Sequence, residues 1–138
     1  MNKIDFYYED CEFVYKGKIA TRSWINRAVK ENNKQLGLIS IIFCSDNYLL
    51  KINQDYLNHD YFTDIITFDY CEGNIVSGDL FISIDMIRAN AEKFGVEFID
   101  ELHRVIIHGV MHLVGFKDKT DEEAQVMRTQ ENYWLERF

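Results

Sequence analysis

Glu97–Phe116 reads EFIDELHRVIIHGVMHLVGF. With Leu102 set at 0° and about 100° added per residue, Val105, Ile106, Gly109 and Leu113 fall between about 300° and 40°. Ile107, Val110 and Val114 fall between about 80° and 140°. Apolar residues therefore cover most of the circumference, which predicts a largely buried helix over 97–114. Gly115 supplies its left-handed stop. His108 and His112 fall at about 240° and 280°, one above the other, while His103 lies near 100° and is read as a surface or edge histidine. A helix this apolar needs partners on most sides, and that requirement organises the rest of the chain.

Outward from it, residues 3–16 (IDFYYE, EFVY) look extended, as a strand or a hairpin. Residues 19–35 carry an apolar stripe of Ile19, Ala20, Trp24, Ile25, Ala28 and Val29 and read as a helix, with Gly37 after its end. LISIIFCS (38–45) is a continuous apolar run, the pattern of a strand buried on both faces. Ser45 or Asp46 can cap a helix reaching about Leu57. DIITFDY (64–70) alternates, CEGN supplies a turn, and GDLFISI (78–84) follows, so 64–84 reads as a hairpin. Asp85–Phe94 reads as a short helix ended by Gly95. Thr120 and Glu123 form a T-x-x-E capping box for a last helix, charged on most faces and expected at the surface. The order predicts an α+β domain over 1–138: a small mixed sheet of about four strands covered by helices, with the histidine helix buried at its centre.

The bulk composition agrees with one globular unit. The chain has 138 residues, 47% of them apolar, and a net charge of −8. Such acidity argues against broad, non-specific nucleic-acid binding, though not against a local patch. Residues 1–37 carry seven Lys/Arg against five Asp/Glu, net +2, which leaves eight against eighteen, net −10, for the remainder. The basic excess lies mostly on the first helix; it reads either as a solvated face or as a weak phosphate-tracking patch at Arg22, Arg27 and Lys30. Cys11, Cys44 and Cys71 form no C-x-x-C pair, which fits free thiols in a reducing cytoplasm. The acidic N-terminus does not resemble a signal peptide, and no apolar run approaches the roughly 18 residues of a membrane span.

Two imidazoles at i and i+4 lie about 5–6 Å apart at Cβ. They are either core histidines bonded to neighbouring carbonyls or carboxylates, or two ligands of one metal ion. Gly115 lets the chain turn back, and Asp118 can then bring a carboxylate. H-x-x-x-H-x-x-G-x-x-D is a three-ligand set, and the fourth position left to water marks catalytic rather than structural zinc. The spacing resembles the H-E-x-x-H-x-x-G-x-x-H of metzincin proteases, but Gly109 stands where those carry their glutamate base. Gly109 is read as making room, either for substrate or for close packing.

With these residues in hand, the chain resembles the YbeY family, metal-dependent single-strand endoribonucleases of ribosomal RNA maturation. The family's H-G-x-x-H-L-x-G-[YF]-D-H reads here HGVMHLVGFKD (108–118). Its I-N-x-x-Y-R-x-x-D-x-P-T-D-V-L-S-F reads INQDYLNHDYFTDIITF (52–68), and its G-D-I-x-I reads GDLFI (78–82). The resemblance implies that His108 and His112 are metal ligands. The family's third histidine falls on Asp118, its preceding aspartate on Lys117, its arginine on Leu57 and its proline on Phe62. A His₂Asp site is expected to hold one Zn²⁺, with Mn²⁺ or Fe²⁺ as alternatives. Asp64 and Asp79 match family aspartates and read as local turn or cap residues, or as supports for the ligand histidines.

The expected function is thus a zinc-dependent endoribonuclease of rRNA maturation and ribosome biogenesis, with a metal-bound water held by His108, His112 and Asp118. Arg104, one turn before His108, is either an assisting cation or the partner of Glu101. Expected partners are single-stranded or ribosomal RNA, and a small ribosomal subunit or ribosomal protein. Two alternatives are a non-catalytic ribosome-assembly factor with a structural metal and a metal-dependent hydrolase of another substrate class.

Overall fold

The computed structural model describes residues 3–138. They form β1 (Ile4–Glu9), α1 (Lys18–Glu31), β2 (Gln35–Cys44), α2 (Asp46–Leu57), β3 (Ile65–Asp69), β4 (Ile75–Ser83), α3 (Ile84–Phe94), α4 (Phe98–Val114) and α5 (Asp121–Leu135). The strands make one mixed sheet in the order β1-β2-β4-β3. β1 and β4 both run parallel to β2, and β3 closes back antiparallel on β4. This is the α+β arrangement expected, with the hairpin at 64–84 in place.

The sheet is covered on both faces because its strands are apolar on both. Ile39, Ile41 and Phe43 of β2 and Leu80 and Ile82 of β4 face the main core with α1 and α4. Cys44 and Ile66 face the other way, against Leu49 and Ile52 of α2. Two glycines set how closely α4 approaches. A Cβ on Gly109 would come within 2.8 Å of Ile65 Cδ1 and 2.9 Å of Leu80 Cδ2, and one on Gly78 within 2.7 Å of Leu113 Cδ2. Gly109 therefore makes room for the sheet.

Several boundaries differ from expectation. Of the strand or hairpin expected over 3–16, a single shorter strand forms: Asp10 takes a positive φ of 54° and ends it. Phe13 and Tyr15 then pack on Phe43 from an irregular stretch. α1 stops at Glu31, and Asn33 (φ 60°) provides the left-handed turn. Gly37 lies inside β2 instead, where any Cβ would collide with Ser77 Oγ. Ser45, rather than Asp46, caps α2 by accepting from Tyr48 N.

His103 is buried, contrary to its expected place at the surface. It lies on the same stripe as Ile107, Val110 and Val114. Its ring stacks on Phe138 at 3.9 Å between centroids, and Trp24 stands 5.7 Å away. Its Nε2 is 3.1 Å from the Tyr15 hydroxyl. α5 is also more than a surface helix: Met127, Glu131 and Trp134 are buried under its charged exterior.

Candidate metal centre

α4 presents His108 and His112 on one face at its C-terminal end. Gly115 (φ 124°) closes the helix, its N–H donating to Met111 and His112 carbonyls, and Phe116 N follows to Met111 O at 2.9 Å. The chain then doubles back. Asp118 Oδ2 comes to rest 3.2 Å from both His108 Nε2 and His112 Nε2, and the two Nε2 atoms are 3.0 Å apart. All three side chains are partly exposed, so the cluster is open to solvent.

The opposite nitrogen of each ring fixes its tautomer. His108 Nδ1 lies 2.8 Å from Glu131 Oε2, and His112 Nδ1 lies 3.0 Å from the Phe116 carbonyl oxygen. An ionised carboxylate and a carbonyl can only accept, so both Nδ1 atoms carry the proton. In the neutral rings both Nε2 atoms are then bare lone pairs, aimed at each other and at a carboxylate oxygen. Such a cluster repels itself unless a proton or a metal cation sits inside it. A tetrahedral ion with ligand bonds of roughly 2.0–2.1 Å needs ligand atoms about 3.3 Å apart. The observed 3.0 and 3.2 Å edges fit that requirement with small adjustment.

Glu131 is the residue bonded to the candidate centre that sequence reasoning missed. Besides His108 it binds Arg104 NH1 at 2.8 Å, and Arg128 NH1 approaches to 3.6 Å. Burial opposes its ionisation, but the hydrogen bonds from His108 and Arg104 hold its carboxyl below the usual range. Burial likewise works against a charged His108, yet the Glu131 bond, with Asp118 and Asp64 nearby, lifts that imidazole above its usual range. The signal was present in the sequence: Met127, Glu131 and Trp134 share i, i+4, i+7 spacing, so one carboxylate lies within an apolar stripe.

The other expected residues are placed as follows. Arg104 pairs with Glu131 and with Asn132 Oδ1 at 2.9 Å, rather than with Glu101. Asp64 stands beside the centre, where burial pushes its carboxyl above the usual range despite the opposing pull of His108 and of the backbone N–H groups of Asp64 and Ile65. Asp79 lies in the middle of β4, opposite Phe68 and Ser40, and not in a turn. A cavity of about 660 Å³ holds His108, His112 and Asp118 together with Leu57, His59, Tyr61, Asp64 and Lys117. A second, of about 670 Å³, lies on the other side of His108 and is lined by Asp64, Glu101, Arg104, Arg128 and Glu131 among others. Arg22, Arg27 and Lys30 do not reach either one. Arg22 Nε donates to the Ile4 carbonyl and Arg27 NH1 to the Arg137 carbonyl. Arg22 and Lys30 line a separate cavity with Lys3 and Lys34.

Comparison with known proteins adds ancestry to this geometry. The solution structure of TM1509 from Thermotoga maritima shares the fold, with a TM-score of 0.69 at 23% identity, covering 95% of this chain and 87% of that one. The Endoribonuclease YbeY of Bacteroides thetaiotaomicron is 56% identical over 115 residues, 83% of this chain and 84% of the relative. That of Flavobacterium psychrophilum is 47% identical over 135 residues, 98% and 96% of the two chains. Residues 9–138 match the family model described as Endoribonuclease YbeY. A chain matched over nearly its whole length, with its conspicuous residues gathered at one centre, belongs to the YbeY family.

Proposed function

We propose that this chain is a metal-dependent endoribonuclease of ribosomal RNA processing, one domain over 1–138, whose ion is zinc held by His108, His112 and Asp118. One observation carries the reading: three lone-pair atoms converge at 3.0–3.2 Å while both histidine Nδ1 atoms are already committed as donors. Two imidazoles and a carboxylate suit zinc, and the hard oxygen leaves manganese or iron(II) as alternatives. When bound, the ion supplies a Lewis acid for a phosphoryl oxygen and lowers the pKa of its water toward about 7.

The residues of the chain supply position. Glu131 keeps the proton of His108 on Nδ1, and the Phe116 carbonyl does the same for His112. The turn at Gly115 returns Asp118 to the two rings. Arg104 is tied to Glu131 and acts through it, rather than at the scissile bond. Lys117 is the lysine on the wall of the metal cavity and is the cation offered to a substrate phosphate there. Arg22, Arg27 and Lys30 are proposed only as an outlying backbone contact. Single-stranded RNA is the proposed substrate, met on the small ribosomal subunit or beside a ribosomal protein. Three free thiols support a reducing, cytoplasmic setting. Among the described residues, no helix is long and apolar enough to cross a membrane.

The test is elemental analysis of the native protein beside cleavage of single-stranded RNA, for wild type, His112→Ala and Asp118→Ala. Wild type should carry one ion and cut RNA, and both variants should lose metal and cleavage together. Full cleavage by metal-free His112→Ala protein overturns the reading. Retention of a full equivalent of ion by Asp118→Ala removes Asp118 from the ligand set.

A further inference from the structure

We propose that the exposed rings of His59 and Tyr61 form a stacking platform for the bases of single-stranded RNA beside the metal centre. The proposal rests on the endoribonuclease reading and deepens it. Its first support is an anomaly of burial. Tyr56, Leu57, Tyr61 and Phe62 are 72%, 41%, 55% and 51% exposed, all within one short stretch after α2 begins to end. Large apolar side chains gathered in solvent mark a surface that is covered in use.

The second support is rigidity. The His59 and Tyr61 rings lie 5.1 Å apart at 23° between planes, and the Tyr61 hydroxyl is 3.0 Å from His59 Nδ1. The loop that carries them is tied to buried Asn53, whose side-chain Nδ2 donates to the Tyr61 carbonyl at 2.9 Å and whose backbone carbonyl accepts from His59 N at 3.0 Å. Asn58, with a φ of 57°, makes the turn from the end of α2 into that loop. Rings held open in this way lose little freedom when a planar ligand lands on them.

Place and charge then choose the ligand. Leu57, His59 and Tyr61 line the same cavity as His108, His112 and Asp118, so a chain whose phosphate reaches the ion passes over these rings. Even with the two charges of the proposed ion counted beside Lys117, Asp64, Asp69 and Asp118 leave that cavity no net positive charge, a thin attraction for phosphates beyond the one at the ion. Affinity must then come from another part of the nucleotide. Every base has a π-face, and in a single strand those faces are open, whereas in a duplex they are stacked on their neighbours. Bases flanking the scissile phosphate are the occupant that fits aromatic rings, weak phosphate attraction and continuity with the ion.

The probe is a single-stranded RNA of about eight nucleotides, its binding to the zinc-loaded full chain read at short times on ice with a denaturing gel showing that the strand stays intact. Replacing one nucleotide at a time by an abasic unit should weaken binding about 5- to 100-fold at one or two positions. Tyr61→Ala should weaken it similarly while keeping its zinc, Tyr61→Phe should stay close to wild type, and Tyr61→Leu should behave as Tyr61→Ala. Raising salt from about 50 to 200 mM should cost less than about tenfold, as for roughly two phosphate contacts. Equal binding of intact and abasic strands, or a Tyr61→Leu protein equal to Tyr61→Phe, overturns the platform. So does a wild-type protein whose sedimentation shows self-association that Tyr61→Ala abolishes, because the rings would then be buried between copies. Failure of the zinc-loaded wild type to bind RNA at all overturns the endoribonuclease reading itself, whereas binding that ignores the bases overturns only the platform.

Discussion

Glu131 shapes the metal centre from outside the ligand set. It accepts from His108 Nδ1 and is itself charged because Arg104 and His108 donate to it. Removing such a support typically weakens metal binding 10- to 100-fold. Glu131→Ala should therefore lose zinc affinity by about that factor in competition with a chromophoric chelator. Glu131→Gln, which can still accept from Nδ1, should lose less. His103 offers a separate test at the same scale. Burial pushes its imidazole down to about 4 from the 6.5 of an exposed histidine. The unfolded chain thus binds the proton more tightly than the folded one. The neutral ring's contribution is whole above about pH 6.5 and is lost as pH falls toward 4, by up to about 3 kcal/mol. His103→Gln should flatten that part of the urea-midpoint profile against pH, leaving the carboxylate-driven part in place. Sequence reading brought His108, His112 and Asp118 together because all three lie within one helix and its exit loop. It misplaced His103 because its burial comes from Trp24, Tyr15 and Phe138, which are remote in sequence.

Among the elements, α5 matters most to the site after α4. Its start is fixed by the capping box, with Thr120 Oγ1 accepting from Glu123 N at 3.1 Å and Glu123 Oε1 from Thr120 N at 3.0 Å. Its docking is fixed by Met127 and Trp134. Thr120→Ala should cost about 1 kcal/mol. The loss should appear as a lower thermal midpoint and, because Glu131 rides on the same helix, as somewhat faster zinc release in stopped-flow exchange. The capping box was legible as S/T-x-x-E spacing alone. The helix's role was not, since a carboxylate bound for a histidine looks in sequence like any other charge on a charged helix. The end of α1 illustrates the same limit: Asn33 and Gly37 both permit a turn, and only the pairing of Gln35 with Asn74 shows that β2 has already begun.

For the whole molecule, order in the sheet follows from apolar runs. β2 is buried on both faces and so lies inside, between β1 and β4. That much could be read from LISIIFCS, whereas the parallel pairing of β1 could not, because six alternating residues suit either direction. The same global view gives the metal's effect on stability. A ligand that binds only the folded chain adds about 2.7 kcal/mol at a hundred times its dissociation constant. Stripping the ion with a chelator should lower the denaturation midpoint accordingly, and zinc should restore it. Asp118→Ala protein should respond to neither treatment.

The proposed ligands are also unusually local: His108, His112 and Asp118 fall within eleven consecutive residues, while Glu131 comes thirteen later. Closing so short a loop costs little chain entropy, and cost grows only slowly with length. The cluster can therefore assemble once α4 and its exit turn exist, before α5 docks. Docking of α5 then delivers Glu131 and locks the tautomer of His108. A nascent chain emerging from the ribosome would accordingly capture its ion loosely first and grip it only when the last helix arrives.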